Sequence, residues 1–171
     1  EYHPAIVKIQ QMISKGAIGD LQYVYSNRLN FGRVRKEENI LWSFAPHDIA
    51  IMLRIVDEMP VSVSATGAEY LTPSVPDVTL TNLSFKNKIK GHIHVSWLHP
   101  FKEQRLVVIG SKKMITFDDV SKNLSLYDQH VQIKNNSLTP ISRNVSDISY
   151  QNKEPLKIEC EAFVEAIETR K

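Results

Sequence analysis

From Val61 to Ile133 the chain repeats one pattern. Apolar and polar residues alternate for several positions, a short turn follows, and the alternation resumes. Asp77 to Phe85 alternates and Asn87-Lys88 turns the chain. Ile89 to Leu98 then runs back with Ile89, Ile93, Val95 and Trp97 on one face and Lys90, His92, His94 and Ser96 on the other. A period of two marks strands, and so short a turn makes the pair an antiparallel hairpin. The same pattern predicts strands over 61–71, 105–109, 114–117, 124–127 and 130–133, with Gly110-Ser111-Lys112-Lys113 as a second turn. The polar segment from Asn135 to Asn152 reads as a surface loop. Strands outnumber helices, so the expected class is α+β: a largely antiparallel open sheet with helices packed on one face. The face rich in Ser, Thr and His is then either solvated or a wet contact between subunits.

Helical periodicity occurs in three places. Pro4 opens the first, Ile6, Ile9, Met12 and Ile13 form its stripe, and Gly16 stops it. The second is expected over Pro46–Val56, with Ser43 as N-cap, Pro46 and Asp48 in the first turn, and Asp57-Glu58 and Pro60 at its end. The third opens at Pro155 and places Leu156, Cys160, Phe163, Val164 and Ile167 on a core-facing side.

These 171 residues make one domain, 1–171. A net charge of +2 gives no electrostatic case for nucleic acid or a membrane surface. No apolar run approaches ~18 residues. Cys160 is the single cysteine, so no intrachain disulfide forms, and a reducing, cytoplasmic setting is expected. No two glycines stand two positions apart, which excludes the dinucleotide fingerprint and the phosphate loop. His92 and His94 share a strand face but have no cysteine or adjacent carboxylate, so they read as part of a polar sheet face and no metal is assigned.

Chemistry concentrates in the stretch Ser26 to Val56, SNRLNFGRVRKEENILWSFAPHDIAIMLRIV. A strand over 21–31 delivers Arg28 and Asn30, and Gly32 ends it ahead of Arg33, Arg35 and Lys36. Guanidinium forks match phosphate and carboxylate, although a loop of loosely solvated charges is the plainer alternative. Trp42, Ser43, His47 and Asp48 follow. At the start of a helix the dipole disfavours imidazolium, so His47 is expected to stay neutral and able to exchange a proton; a helix-capping histidine without chemistry is the alternative. A spacing of four puts Ser43 and His47 on one helix face.

The run NRLNFGRVRKEENILWSFAPHD resembles the oxidoreductase family that includes glucose-fructose oxidoreductase and inositol dehydrogenase (Gfo/Idh/MocA), and within it the branch that oxidises UDP-N-acetyl-hexosamines or their uronates. HVSWLHPFKEQRLVVIGSKKMITFDD and IECEAFVEAIETRK extend the resemblance over nearly the whole chain. It implies that the chain is the second domain of a two-domain enzyme whose Rossmann domain, holding NAD or NADP, lies outside it. His47 is then the catalytic acid/base, and Arg28, Asn30, Arg35, Trp42, Ser43 and Asp48 contact a sugar or UDP-sugar. Homo-oligomerisation through the sheet is also implied. Two departures stand out: the family's Glu-Lys-Pro, which carries its catalytic lysine, does not occur here, and Ser43 replaces the Asp of the family's Asp-x-x-x-His. The alternative is a non-catalytic sugar-binding or assembly module.

Overall fold

The computed structural model describes residues 2–151 and 153–169. Among these residues the chain forms one eight-stranded sheet and three α-helices, in the order α1 (Pro4–Ser14), β1 (Leu21–Phe31), α2 (Ile40–Val56), β2 (Ser62–Ala68), β3 (Val78–Ser84), β4 (Lys90–Ser96), β5 (Leu98–Gly110), β6 (Met114–Asp118), β7 (Asn123–Lys134), β8 (Ser137–Asp147) and α3 (Pro155–Thr169). The strand order is β2-β3-β4-β1-β5-β6-β7-β8. Every neighbouring pair is antiparallel except β1 and β4, which run parallel, with α2, β2 and β3 intervening in the chain. The α+β class expected from the alternation therefore holds.

Local chemistry explains the turns. Between β3 and β4, Asn87 and Lys88 both have positive φ, 55° and 65°, and the tight turn they make is closed by the Ile89 N–H on the Lys86 carbonyl at 3.2 Å. α1 ends as a Schellman motif: Gly16 at φ 71° lets its own N–H reach the Ile13 carbonyl and that of Ala17 reach Met12.

The core lies between one sheet face and the first two helices. Ile6 and Ile9 of α1 and Met52 and Ile55 of α2 meet Val24, Ile93, Val95, Trp97, Val108 and Ile115 of the sheet. Each such side chain contributes roughly 1.5–3 kcal/mol on full burial. Trp97 is buried, and its indole donates to Asp77 Oδ1 at 2.8 Å. Asp77 also accepts from the amides of Tyr70 and Leu71 at 2.7 and 2.9 Å. Burial by itself would raise this carboxyl, but the three donors outweigh it and hold it below its ordinary value.

Four expectations are corrected. α2 begins six residues before Pro46: Asn39 is its N-cap, accepting from Trp42 N at 3.1 Å, and Pro46 lies inside the helix. Ser43 caps nothing, and Asp48 sits well past the first turn. The segments 124–127 and 130–133 are one strand, β7. The expected loop after Asn135 is mostly β8, because Asn135 and Asn136 adopt φ 48° and 62° and turn the chain as tightly as Asn87-Lys88 does; Asn152 lies outside the described residues. In α3 no residue is buried, so Leu156, Phe163, Val164 and Ile167 are exposed and Cys160 is an exposed thiol rather than a core residue.

Candidate functional site

The site is built where β1 passes under α2. Even-numbered residues of β1 face the helices, so Val24, Ser26 and Arg28 point toward α2. Asp48, on the inner side of α2, is 2% exposed. It accepts from Arg28 Nε at 2.6 Å, from Arg28 Nη2 at 3.4 Å, and from the Ser26 hydroxyl. A carboxylate this deep is tolerated where it is paired and hydrogen-bonded, and removing one partner from such a pair costs about 3–5 kcal/mol. The pair fixes both the crossing of helix and strand and the direction of the Arg28 guanidinium.

His47, one residue earlier, is exposed. It and Arg28 line one cleft of about 480 Å³, whose other wall comes from later in the chain: Asp119 and Lys122 of the β6–β7 turn, Tyr150 and Lys153. Lys122 Nζ lies 2.5 Å from Asp119 Oδ1, and the Tyr150 hydroxyl donates to the Lys122 carbonyl at 2.8 Å. His3 closes the far end: its Nδ1 accepts from Ala5 N at 3.1 Å, and its Nε2 stands 3.7 Å from Asp119. Burial lowers its pKa, with Lys122 acting in the same direction and Asp119 against it. A neutral ring with Nδ1 as acceptor carries its proton on Nε2, so His3 is a capping and packing residue.

Of the sequence candidates, the structure brings together Arg28, His47 and Asp48. Ser43 lies one turn before His47; its hydroxyl is buried and has no hydrogen-bond partner among the described residues. Trp42 is 69% exposed and stands outside the cleft. Arg35, on the loop between β1 and α2, pairs with Glu38, and Asn30 lies beside Gly32. The dipole argument for His47 lapses, because the field of a helix end fades within its first turn and His47 is the eighth residue of α2. Sequence reading missed Asp119, Lys122 and Tyr150. Only the strand pairing brings them to β1, more than ninety positions away. The signal that existed was the positive-φ turn chemistry around Lys122, φ 61°.

A larger hollow of about 660 Å³ lies between α1 and α3 and borders Val7, Tyr150 and Ile158. It lacks the convergent His and Arg of the smaller cleft, so the chemistry is assigned to the latter. Among the described residues, the N-termini of α1 and α2 are each capped by a side chain, His3 and Asn39. No described helix is long and apolar enough to cross a membrane.

An open, mostly antiparallel sheet whose helix-covered side carries a cleft lined by His3, His47 and the anchored Arg28 defines a two-layer α+β domain. A sequence model of the GFO/IDH/MocA C-terminal domain matches residues 6–116, and the chain belongs to that family. No curated protein sequence matches it. A solved UDP-N-acetylglucosamine 3-dehydrogenase from Acidithiobacillus ferrooxidans superposes with a TM-score of 0.77 at 17% identity, covering 98% of this chain and 53% of that one. Levoglucosan dehydrogenase in complex with NADH and levoglucosan gives 0.71 at 18% identity, covering 96% and 54%. An oxidoreductase from Pseudomonas syringae gives 0.67 at 16%, covering 83% and 40%. At these identities the likeness is one of fold. The chain spans about half the length of the first two of these structures.

Proposed function

We propose that this chain is the substrate-binding half of an NAD(P)-dependent oxidoreductase acting on a sugar or sugar nucleotide. The observation that carries the reading is that an exposed imidazole, His47, and an anchored guanidinium, Arg28, line one cleft. The nicotinamide, held by a separate Rossmann domain, supplies the hydride chemistry. His47 holds or moves the proton of a sugar hydroxyl. Asp48 takes the Nε and Nη2 donors of Arg28 and leaves its remaining N–H groups for an anion such as a uronate or diphosphate. Lys122, paired with Asp119, adds a second cation on the facing wall. Asn30, Arg35 and Trp42, displaced from this cleft, are assigned to the nucleotide end of the substrate. The open face of the sheet, with His92 and His94, is assigned to a homo-oligomer contact.

The test is turnover of UDP-sugars with NAD and NADP by the full-length protein. His47→Ala is expected to lower kcat by roughly 10²–10⁴. Wild-type turnover in that variant would remove the catalytic role. A second reading, a sugar-binding module without chemistry, is favoured by Ser43, whose hydroxyl stands where the family resemblance calls for a carboxylate. Sugar-nucleotide binding without any change in nicotinamide absorbance would select it.

A further inference from the structure

The cleft wall that faces Arg28 and His47 includes the turn between β6 and β7, residues 119–122. Its backbone is pinned on both sides. Asp118 Oδ1 accepts from the amides of Val120 and Ser121 at 2.9 and 3.2 Å. The Asp119 amide donates to the Gln104 carbonyl at 2.8 Å, and the Lys122 carbonyl accepts from the Tyr150 hydroxyl at 2.8 Å. Lys122 is held at φ 61°, a left-handed conformation that a lysine adopts at a cost. Two side chains of this fixed turn keep hydrogen-bonding capacity. Asp119 Oδ1 takes the Lys122 ammonium at 2.5 Å and has His3 Nε2 at 3.7 Å, while Oδ2 has no partner among the described residues. The ammonium carries three donors, and this contact uses one.

We propose that Asp119 and Lys122 are specificity-determining residues that read the configuration of one ring hydroxyl of the sugar. The inference rests on the sugar-nucleotide reading above and names the part of the substrate that this wall recognises. A hydroxyl is both a donor and an acceptor. Its O–H donates to Asp119 Oδ2, and its lone pair accepts from the Lys122 ammonium, two charge-assisted bonds on one oxygen. The wall does not suit an anion. Asp48 is buried behind Arg28 with both oxygens taken, so Arg28 presents only N–H groups. Asp119, by contrast, lines the cleft itself and repels a carboxylate or phosphate at close range. Nor does it suit a hydrocarbon, which desolvates both groups and returns no hydrogen bond. A neutral polyhydroxylated ring meets both conditions.

The cleft also selects the ring position. A sugar nucleotide joins its diphosphate to the ring at C1, and the ring atom opposite C1 is C4. With the diphosphate at Arg28, the ring extends across the cleft and turns its C4 hydroxyl to Asp119 and Lys122. Inverting C4 directs that hydroxyl away from the pair. The turn does not follow it, because its backbone is already fixed at both ends.

Isothermal titration of the full-length protein with UDP, UDP-glucose, UDP-galactose, UDP-N-acetylglucosamine and UDP-N-acetylgalactosamine tests this. The two glucose–galactose pairs each differ only at C4. The wild type is expected to favour one epimer at least about tenfold within a pair. Asp119→Ala and Lys122→Met are each expected to reduce that ratio below about threefold, with UDP affinity within about twofold of wild type. Asp119→Asn keeps an acceptor oxygen and is expected to give an intermediate ratio. Partial unfolding lowers the binding of every ligand alike and leaves the ratio unmoved. If the wild type binds both epimers within about twofold, or either variant keeps the wild-type ratio, the subsite is wrong, and turnover of a UDP-sugar with NAD or NADP still upholds the reading beneath it. If no sugar nucleotide binds more tightly than UDP and none is turned over, the reading and the subsite fall together.

Discussion

Residues 4–118 and residues 128–169 carry similar apolar patterns with opposite outcomes. In the first region the stripe of α1 and the inner residues of the strands meet each other: Ile6, Ile9, Ile93, Val108 and Ile115 are fully buried. In the second, Ile133, Leu138, Phe163 and Ile167 occupy equally regular positions and are 62–73% exposed. α3 also carries an apolar stripe, but among the described residues nothing covers it. Amphipathic pattern specifies an element and its inner side; burial needs a second surface at the right distance. The family match, residues 6–116, falls in the region that satisfies itself.

The sharpest way to break this contrast is at the join of β1 and α2. Asp48→Ala leaves Arg28 unpaired in a largely buried position and is expected to cost about 3–5 kcal/mol of stability by urea denaturation. A loss under about 1 kcal/mol would mean that the pair does not hold the first region together. Ile93→Ala, in the fully buried part of β4, is expected to cost about 2–5 kcal/mol in the same assay.

Acid should reach the first region in two stages. His3, His92 and His94 have lowered pKa values, first from burial and for His92 and His94 also from a neighbouring histidine. The fold keeps these rings neutral where the unfolded chain takes up protons. Stability is therefore full above about pH 6.5 and falls as pH drops through the folded values. The lowered carboxyls of Asp77 and Asp118 add a second loss, beginning below about pH 3.9 and completed as pH falls through their folded values. Denaturation midpoints measured from pH 8 to pH 3 check this, and a midpoint that rises between pH 6.5 and 5 would contradict the first stage. The smallest effect belongs to the second region. Phe163→Ser, on an uncovered helix face, is expected to shift the stability of this domain by no more than about 0.5 kcal/mol. A larger loss would show that α3 is packed after all.

Much of the fold was legible locally. Alternation marks β1, β3 and β4 and gives the inner face of β4, and Asn87-Lys88 marks its turn, but on β1 the apolar Tyr23 and Tyr25 lie on the face away from the helices. β8 was missed because its few apolar residues are interrupted by Pro140 and by the irregularity opposite Asp128, so only the Asn135-Asn136 turn signals it. The start of α2 was misplaced because Pro46 and Ser43 together imitate a helix start, whereas Asn39 supplies the cap and the rest of the fold holds the helix through the proline. Within the site, His47 and Asp48 were read as neighbours in one helix turn. In the structure they separate, one facing solvent and the other locked under the helix against Arg28.

The sequence by itself determined most of the elements, among them α1, β1, β3, β4 and α3, and that Arg28, His47 and Asp48 lie close along the chain. Those features depend on dihedral preference and on periods of two and 3.6, which act over a few residues. Tertiary structure decided that Asp48 consumes part of Arg28, that Trp42 and Arg35 stand away from the cleft, and that Lys122, Asp119 and Tyr150 complete it. Among the described residues it also left the apolar faces of α3 and of the outer part of the β7–β8 hairpin uncovered. These outcomes depend on which distant surfaces meet, and no local preference encodes a contact between β1 and a turn more than ninety residues later.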